Sequence, residues 1–238
     1  MEEWRTLGKE LEERLRPATY PLAVTFLKGE GVPEGVRRPE EKFSLCQLFT
    51  LSRTHGWTMV LEPENSGCPA LNSILGWPAE REMVIDFLQA AGYVRGKEAA
   101  EGLLRELENL GLEGIRRVVV SPLTRTKVVP EVVVVYGNSA QMMRLIQGAV
   151  CEQGRRMEVR MAGLMGSCGS VLRSYAEGKY DLAIPGTGDR VFAATQETEI
   201  VFTLPAFKLR PLLEGMKEQK LIKYPVPPRL LPPFFPGG

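Results

Sequence analysis

Four cysteines, Cys46, Cys68, Cys151 and Cys168, stand against a single histidine, His55. A thiolate attacks electrophiles and binds soft metals; a neutral thiol does neither well. The useful question is therefore which cysteines sit where a thiolate is favoured. Cys68 lies in Glu64-Asn65-Ser66-Gly67-Cys68-Pro69, a turn whose proline suits the first position of a helix. Cys168 lies in the turn Gly163-Leu164-Met165-Gly166-Ser167-Cys168-Gly169, which also leads into a helical pattern. Free N–H groups and the positive end of the helix dipole favour the thiolate at such positions. Cys68 and Cys168 are accordingly the candidate nucleophiles and metal ligands, and Cys46, near another helix start, is a third candidate ligand. Gly166, Ser167 and Gly169 offer a backbone that a ligand approaches closely, suited to a phosphate or carboxylate. Cys151, inside the helical stretch 141–152, reads as a small packing residue.

One histidine excludes mechanisms that need two, including most histidine-based zinc and non-heme iron sites. Local Cys-x-x-Cys pairs are absent, since the cysteines are 22, 83 and 17 residues apart. A thiolate metal centre must therefore be assembled by the fold. Cys46 and His55 are nine residues apart in one expected helix, a rotation of about 900°, which puts them on opposite faces. His55 with Cys68 stays open as a pair, beside the plainer reading of an exposed residue at a helix end.

Two further turns carry polar side chains. In Gly186-Thr187-Gly188-Asp189-Arg190, Asp189 and Arg190 are candidates to orient a substrate carboxylate, or to bind each other in a simple turn. Gly137-Asn138-Ser139 follows a strong strand and opens a helix, where open α/β sheets bind ligands; Asn138 serves equally as a helix cap. Walker, serine-elbow and HExxH motifs are absent.

The elements that must position these residues read as follows. Helices are expected over Glu2–Arg16, Phe43–His55, 69–75, 98–110, 140–152, from Gly169 to about Glu177, and Lys208–Lys220. Strands are expected over Pro21–Leu27, Trp57–Leu61, Arg116–Ser121, Met157–Met161, Asp181–Ile184 and Glu199–Leu204. Met83–Phe87 fits either period. The run Glu131-Val132-Val133-Val134-Val135-Tyr136 predicts a central strand covered on both faces. The chain has 238 residues, 44% apolar and 25% charged, with a formal charge of +1. Dispersed Lys and Arg argue against nucleic acid, and no apolar run approaches a membrane span. The acidic start Met1-Glu2-Glu3-Trp4 lacks the apolar core of a signal peptide, so a cytoplasmic protein with reduced thiols is expected.

Two stretches echo one plan of helix, glycine, strand, turn, cysteine, helix. The first passes Cys46, Gly56 and Cys68; the second passes Ala140, Gly154 and Cys168. This predicts an α/β fold of two similar halves, 1–115 and 116–223, sharing a central mixed sheet or interface, with a proline-rich tail over 224–238. Cys68 and Cys168 would then be equivalent, and the groove between halves a ligand site.

The pieces Pro21-Leu22-Ala23-Val24, Cys46, the Cys68 turn, Pro130–Val134, Gln141–Leu145, Gly166-Ser167-Cys168, Gly186–Arg190 and Phe202–Pro205 together resemble the uncharacterised family named domain of unknown function 169, a cysteine-containing family of archaea and bacteria. The resemblance covers roughly Pro21 to Gly215. It brings no established activity, but a frequency in anaerobes that favours redox or metal chemistry. Members often carry a cysteine before the Gly-Asp-Arg turn, where this chain reads Pro185-Gly186. Three readings follow: a protein binding a soft metal or iron–sulfur cluster as a redox accessory, an enzyme with a Cys68 or Cys168 nucleophile acting on a small acidic substrate, and a non-catalytic binder of a small molecule. A homo-oligomer is compatible with each.

Overall fold

A computed structural model describes residues 1–29 and 31–219. The proline-rich stretch 224–238 and the last residue of the expected helix 208–220 lie outside the described residues. In chain order the elements are α1 (Glu2–Leu15), β1 (Leu22–Leu27), α2 (Leu45–His55), β2 (Met59–Leu61), α3 (Pro69–Leu75), α4 (Arg81–Ala90), α5 (Lys97–Glu108), β3 (Arg117–Pro122), β4 (Val132–Gly137), α6 (Ser139–Val150), α7 (Gly166–Glu177), β5 (Asp181–Ala183), α8 (Thr187–Phe192), β6 (Ile200–Pro205) and α9 (Leu209–Glu218). None of these helices is long and apolar enough to cross a membrane.

The strands form one six-stranded sheet in the order β2-β3-β1-β4-β6-β5, and each named pair is antiparallel rather than mixed. Alternate residues of each strand face opposite ways, so the sheet divides the apolar core in two. Leu22, Val24, Val118, Val120, Val132 and Val134 pack on one face beneath α2, α3, α4, α5 and α7. Ala23, Val133, Val135, Phe202 and Leu204 pack on the other beneath α1, α6 and α9. The valine run is the covered central strand that its composition predicted, with Val132 to Tyr136 all buried.

The strand order reads the same from either edge when β1, β2 and β3 are exchanged for β4, β5 and β6. Register obeys the same exchange. Ala23 opposite Val133 marks the centre, flanked by Leu22–Val134 and Val24–Val132. Leu22 pairs with Pro122 as Val132 pairs with Pro205. Met59 meets Val120 as Asp181 meets Thr203. The helices preceding the two edge strands follow suit. α2 stops on left-handed Gly56 and α7 on left-handed Gly178, each three residues before its strand. Four residues before those glycines, Ser52 reaches the Val120 carbonyl and Ser174 the Thr203 hydroxyl.

This geometry replaces the equivalences drawn from the sequence echo. Gly56 matches Gly178, not Gly154, and Cys46 matches Cys168, in place of Cys68. The symmetry is one of strands, register and two helices, and does not establish duplicated sequence. The other face breaks it, because α6 follows β4 directly while a long loop follows β1. β3, placed in the C-terminal stretch by the sequence reading, pairs with β1 and β2 of the N-terminal one.

Two local expectations change, and one open reading is settled. Residues 157–161 form no strand. Val159 and Met161 project into solvent, and Arg160 is drawn into ion pairs with Glu106 and Glu177. Met83–Phe87 is helical within α4, with Val84, Ile85 and Leu88 buried at helical spacing. Gly186–Arg190 is less a free turn than the entry to α8.

Phe49, fully buried on α2, anchors that helix to the sheet. Phe49→Ala should cost about 3–5 kcal/mol. Phe87→Ala, at a side chain 59% exposed, should stay within about 0.5 kcal/mol. Denaturant midpoints of the two variants check the contrast.

Candidate functional site

Three helix starts converge on one face of the sheet. Ser44 caps α2: its hydroxyl accepts the Gln47 N–H, and the Gln47 side chain accepts the Ser44 N–H. That box fixes Cys46 in the first turn. Cys168 sits in the first turn of α7, and both cysteines stand ten residues before their matched glycines. The symmetric placement of α2 and α7 lets the Cys46 and Cys168 thiols interact directly. Cys68 precedes Pro69 as the cap residue of α3, with Pro69 at the first helical position as its turn predicted. It lies within electrostatic reach of both other thiols. Cys168 is buried, Cys46 and Cys68 are partly so, and Cys151 is exposed. Cys151 is thus not the packing residue its helix suggested; it caps the end of α6 on the opposite face.

Asp189 closes the group. It is 2% exposed, and its Oδ2 accepts the N–H groups of Gly186 at 2.8 Å and Ser167 at 3.5 Å. Its Oδ1 is buried without a hydrogen-bond partner. Tyr136, at the end of β4, turns its ring to the Arg53 guanidinium at 4.1 Å. Arg53 is in turn held by the Glu199 carboxylate through both terminal nitrogens. The sequence reading missed Tyr136, Arg53 and Glu199. A usable signal existed for Arg53, which shares the buried stripe of Leu45 and Phe49 at four-residue spacing.

The electrostatics oppose a thiolate at Cys46 and Cys68. Hydrogen bonding to Cys168, burial, and the charges of Cys168, Asp189 and Cys68 hold the Cys46 thiol well above its ordinary value. Burial, helped by the Cys168 charge, pushes Cys68 up to about 11, although the Ala70 and Leu71 N–H groups pull the other way. At Cys68 the helix-start argument is physically correct but too small, because desolvation outweighs the N–H groups. Tyr136 is likewise pushed far up, by burial first and by Asp189 second. His55 is exposed at the end of α2, with its ring 5.1 Å from that of Trp57.

The other sequence-selected residues divide. Ser167 lies inside the group, fully buried, its N–H on Asp189. The close backbone approach at Gly166 is made by the protein itself, since a Cβ there would collide with the Ile184 carbonyl oxygen. A Cβ on Gly169 would meet Leu107 at 3.3 Å. Asn138 acts as the cap of α6, accepting the Gln141 N–H at 3.0 Å, and α6 covers the opposite face. Arg190 points away, donating to the Gln196 carbonyl at 2.8 Å. Among the described residues no group of three or more His, Cys, Asp or Glu side chains is placed so that it could hold a metal ion. A cavity of about 240 Å³ reaches Met165 and Gly166 between α5 and α7 but touches none of the cysteines.

These raised values have a sign. A thiol whose folded value exceeds its unfolded value stabilises the fold below the unfolded value and loses that contribution as pH rises through the folded one. Metal-free protein should therefore lose stability between the ordinary 9.0 and about 11, and Cys68→Ser should flatten that loss in a pH series of thermal melts. At pH 8, iodoacetamide should label exposed Cys151 first and Cys46 and Cys68 last, read by peptide mass.

Comparison with known proteins agrees with this picture of a site without an assigned activity. "Uncharacterized protein MJ0308" of Methanocaldococcus jannaschii is 22% identical over 220 residues, covering 90% of this chain and 94% of that protein. No solved structure matches. The profile of domain of unknown function 169, described as uncharacterised ArCR, matches residues 10–215. With nearly the whole described fold inside that match, the chain belongs to the domain of unknown function 169 family.

Proposed function

We propose that the protein binds a soft metal ion or an iron–sulfur cluster through Cys46, Cys68 and Cys168, and serves as a redox accessory in a reducing, cytoplasmic setting. The observation that carries this reading is the convergence of three cysteines from three helix starts, spread over more than a hundred residues, onto one spot. The raised proton affinity of the Cys68 thiol makes it a poor nucleophile, which weighs against the enzyme reading at that residue. The three thiols become good ligands once a metal takes the place of their protons. Metal affinity should then rise steeply with pH as those protons are released.

Protein purified without oxygen should carry stoichiometric iron, with or without acid-labile sulfide, or zinc. Cys46→Ser and Cys168→Ser should lose it, while Cys151→Ser should keep it. Elemental and sulfide analysis reads the result; a colourless, metal-free wild-type preparation that takes up neither ion on reconstitution overturns the reading.

A further inference from the structure

The cavity of about 240 Å³ between α5 and α7 takes no part in the thiol chemistry. Most of its lining is apolar: Leu103 and Leu107 from α5, Met161, Leu164 and Met165 from the loop before α7, and Ile184 beyond β5. Met161 and Ile184 are 48% and 50% exposed, apolar surface that an occupant would cover. Another part of the lining is backbone. Gly166 is pressed so closely on the Ile184 carbonyl that a Cβ there would collide with it, which fixes that wall. An apolar cavity of about 150 Å³ holds a benzene ring, so this one suits a molecule of roughly eight to ten non-hydrogen atoms.

Arg173 supplies the polar end. Its side chain is 12% exposed. Nε and Nη2 donate to Asp181 Oδ2 at 3.0 and 2.6 Å, and Nη2 also donates to the Arg160 carbonyl at 2.9 Å. These bonds hold the guanidinium plane still. Its remaining nitrogen, Nη1, donates to no atom of the described residues. Nη1 lies beside the cavity residue Leu107: a Cβ on Gly169 would meet a Leu107 methyl at 3.3 Å and Nη1 at 3.6 Å. A fixed guanidinium nitrogen with two free hydrogens, set among apolar side chains, is a receptor for an anionic oxygen.

The acidic groups nearby do not fill that role. Asp181 occupies the other edge of Arg173, and neither Asp181 nor Glu177 lines the cavity. The charged lining residues are Arg160, Arg173 and Glu106, two cations against one anion. Glu106 meets Arg160 at 3.3 Å, with both side chains well exposed, a contact that an incoming carboxylate can replace.

We infer that this cavity binds a small monocarboxylic acid, its carboxylate on Arg173 Nη1 and its apolar chain between α5 and the loop 161–165. Walls of this kind suit an acid with an apolar body and not a bare inorganic anion.

Hexanoate, hexanol and hexylamine share one chain and differ in the head group. Titrated into the full chain, they are read by the methyl resonances of Met161 and Met165. Hexanoate should move both resonances saturably, and hexanol and hexylamine should bind roughly tenfold more weakly or worse. Arg173→Gln should lower hexanoate to the affinity of hexanol. Because Arg173 also holds Asp181, a second variant guards the test. Ala162→Trp, at an exposed lining residue, should abolish the hexanoate shifts while the melting temperature stays at the wild-type value. Methyl resonances unmoved by hexanoate, equal affinity for the three probes, or a preference for hexanoate that survives both substitutions would overturn the inference. The cysteines are unchanged throughout, so none of these outcomes decides the metal reading.

Discussion

The antiparallel contact between β1 and β4 governs everything placed above it. Three residue pairs centred on Ala23 and Val133 join the two three-stranded groups into one sheet. Because a local two-fold at an antiparallel pair runs perpendicular to the sheet, it keeps each residue on its own face. Leu22 and Val24 therefore share a face with Val132 and Val134. Helices that return to the outer strands from either side land on that common face, with their first turns side by side. Neither Cys46 nor Cys168 has a sequence neighbour to chelate with. Their meeting is a product of strand register, and a slip of one residue would send the alternating side chains to opposite faces.

The covered valine strand, the proline at the start of α3 and the capping role of Asn138 were all legible in local sequence. Each rests on interactions within a few residues, where composition is decisive. The partner of each cysteine was not. The echo of Cys68 with Cys168 compared two cysteines followed by helices, whereas the sheet compares helices followed by edge strands. Gly178 and its three-residue approach to β5 were present in the sequence but carried no weight until register singled them out. Residues 157–161 failed for a related reason. Their alternation is real, but a strand needs a partner, and ion pairs of Arg160 compete for the segment. Arg53 and Glu199, 146 residues apart, form a part-buried pair, and no local pattern joins the two.

Burial gives the site its chemical character. The dipole and N–H groups at a helix start act over one turn, while desolvation acts on the whole thiol. At Cys68 both influences are present and burial prevails. A site of this kind holds its protons firmly when nothing else occupies it. The contrast with Cys151, exposed on the far face, separates a thiol open to any reagent from thiols partly or wholly buried. Membership of an uncharacterised family leaves such physical distinctions as the guide to chemistry.

The glycines around Cys168 have a consequence for how this chain can vary. A side chain on Gly166 would strike the Ile184 carbonyl, and one on Gly186 would come within 2.8 Å of the Gly163 carbonyl. The loop entering α7 and the loop entering α8 are thus pressed backbone to backbone, each acting as the wall of the other. Neither can accept a side chain unless the other loop retreats, so the spacing between the two loops is set by having no Cβ at either position.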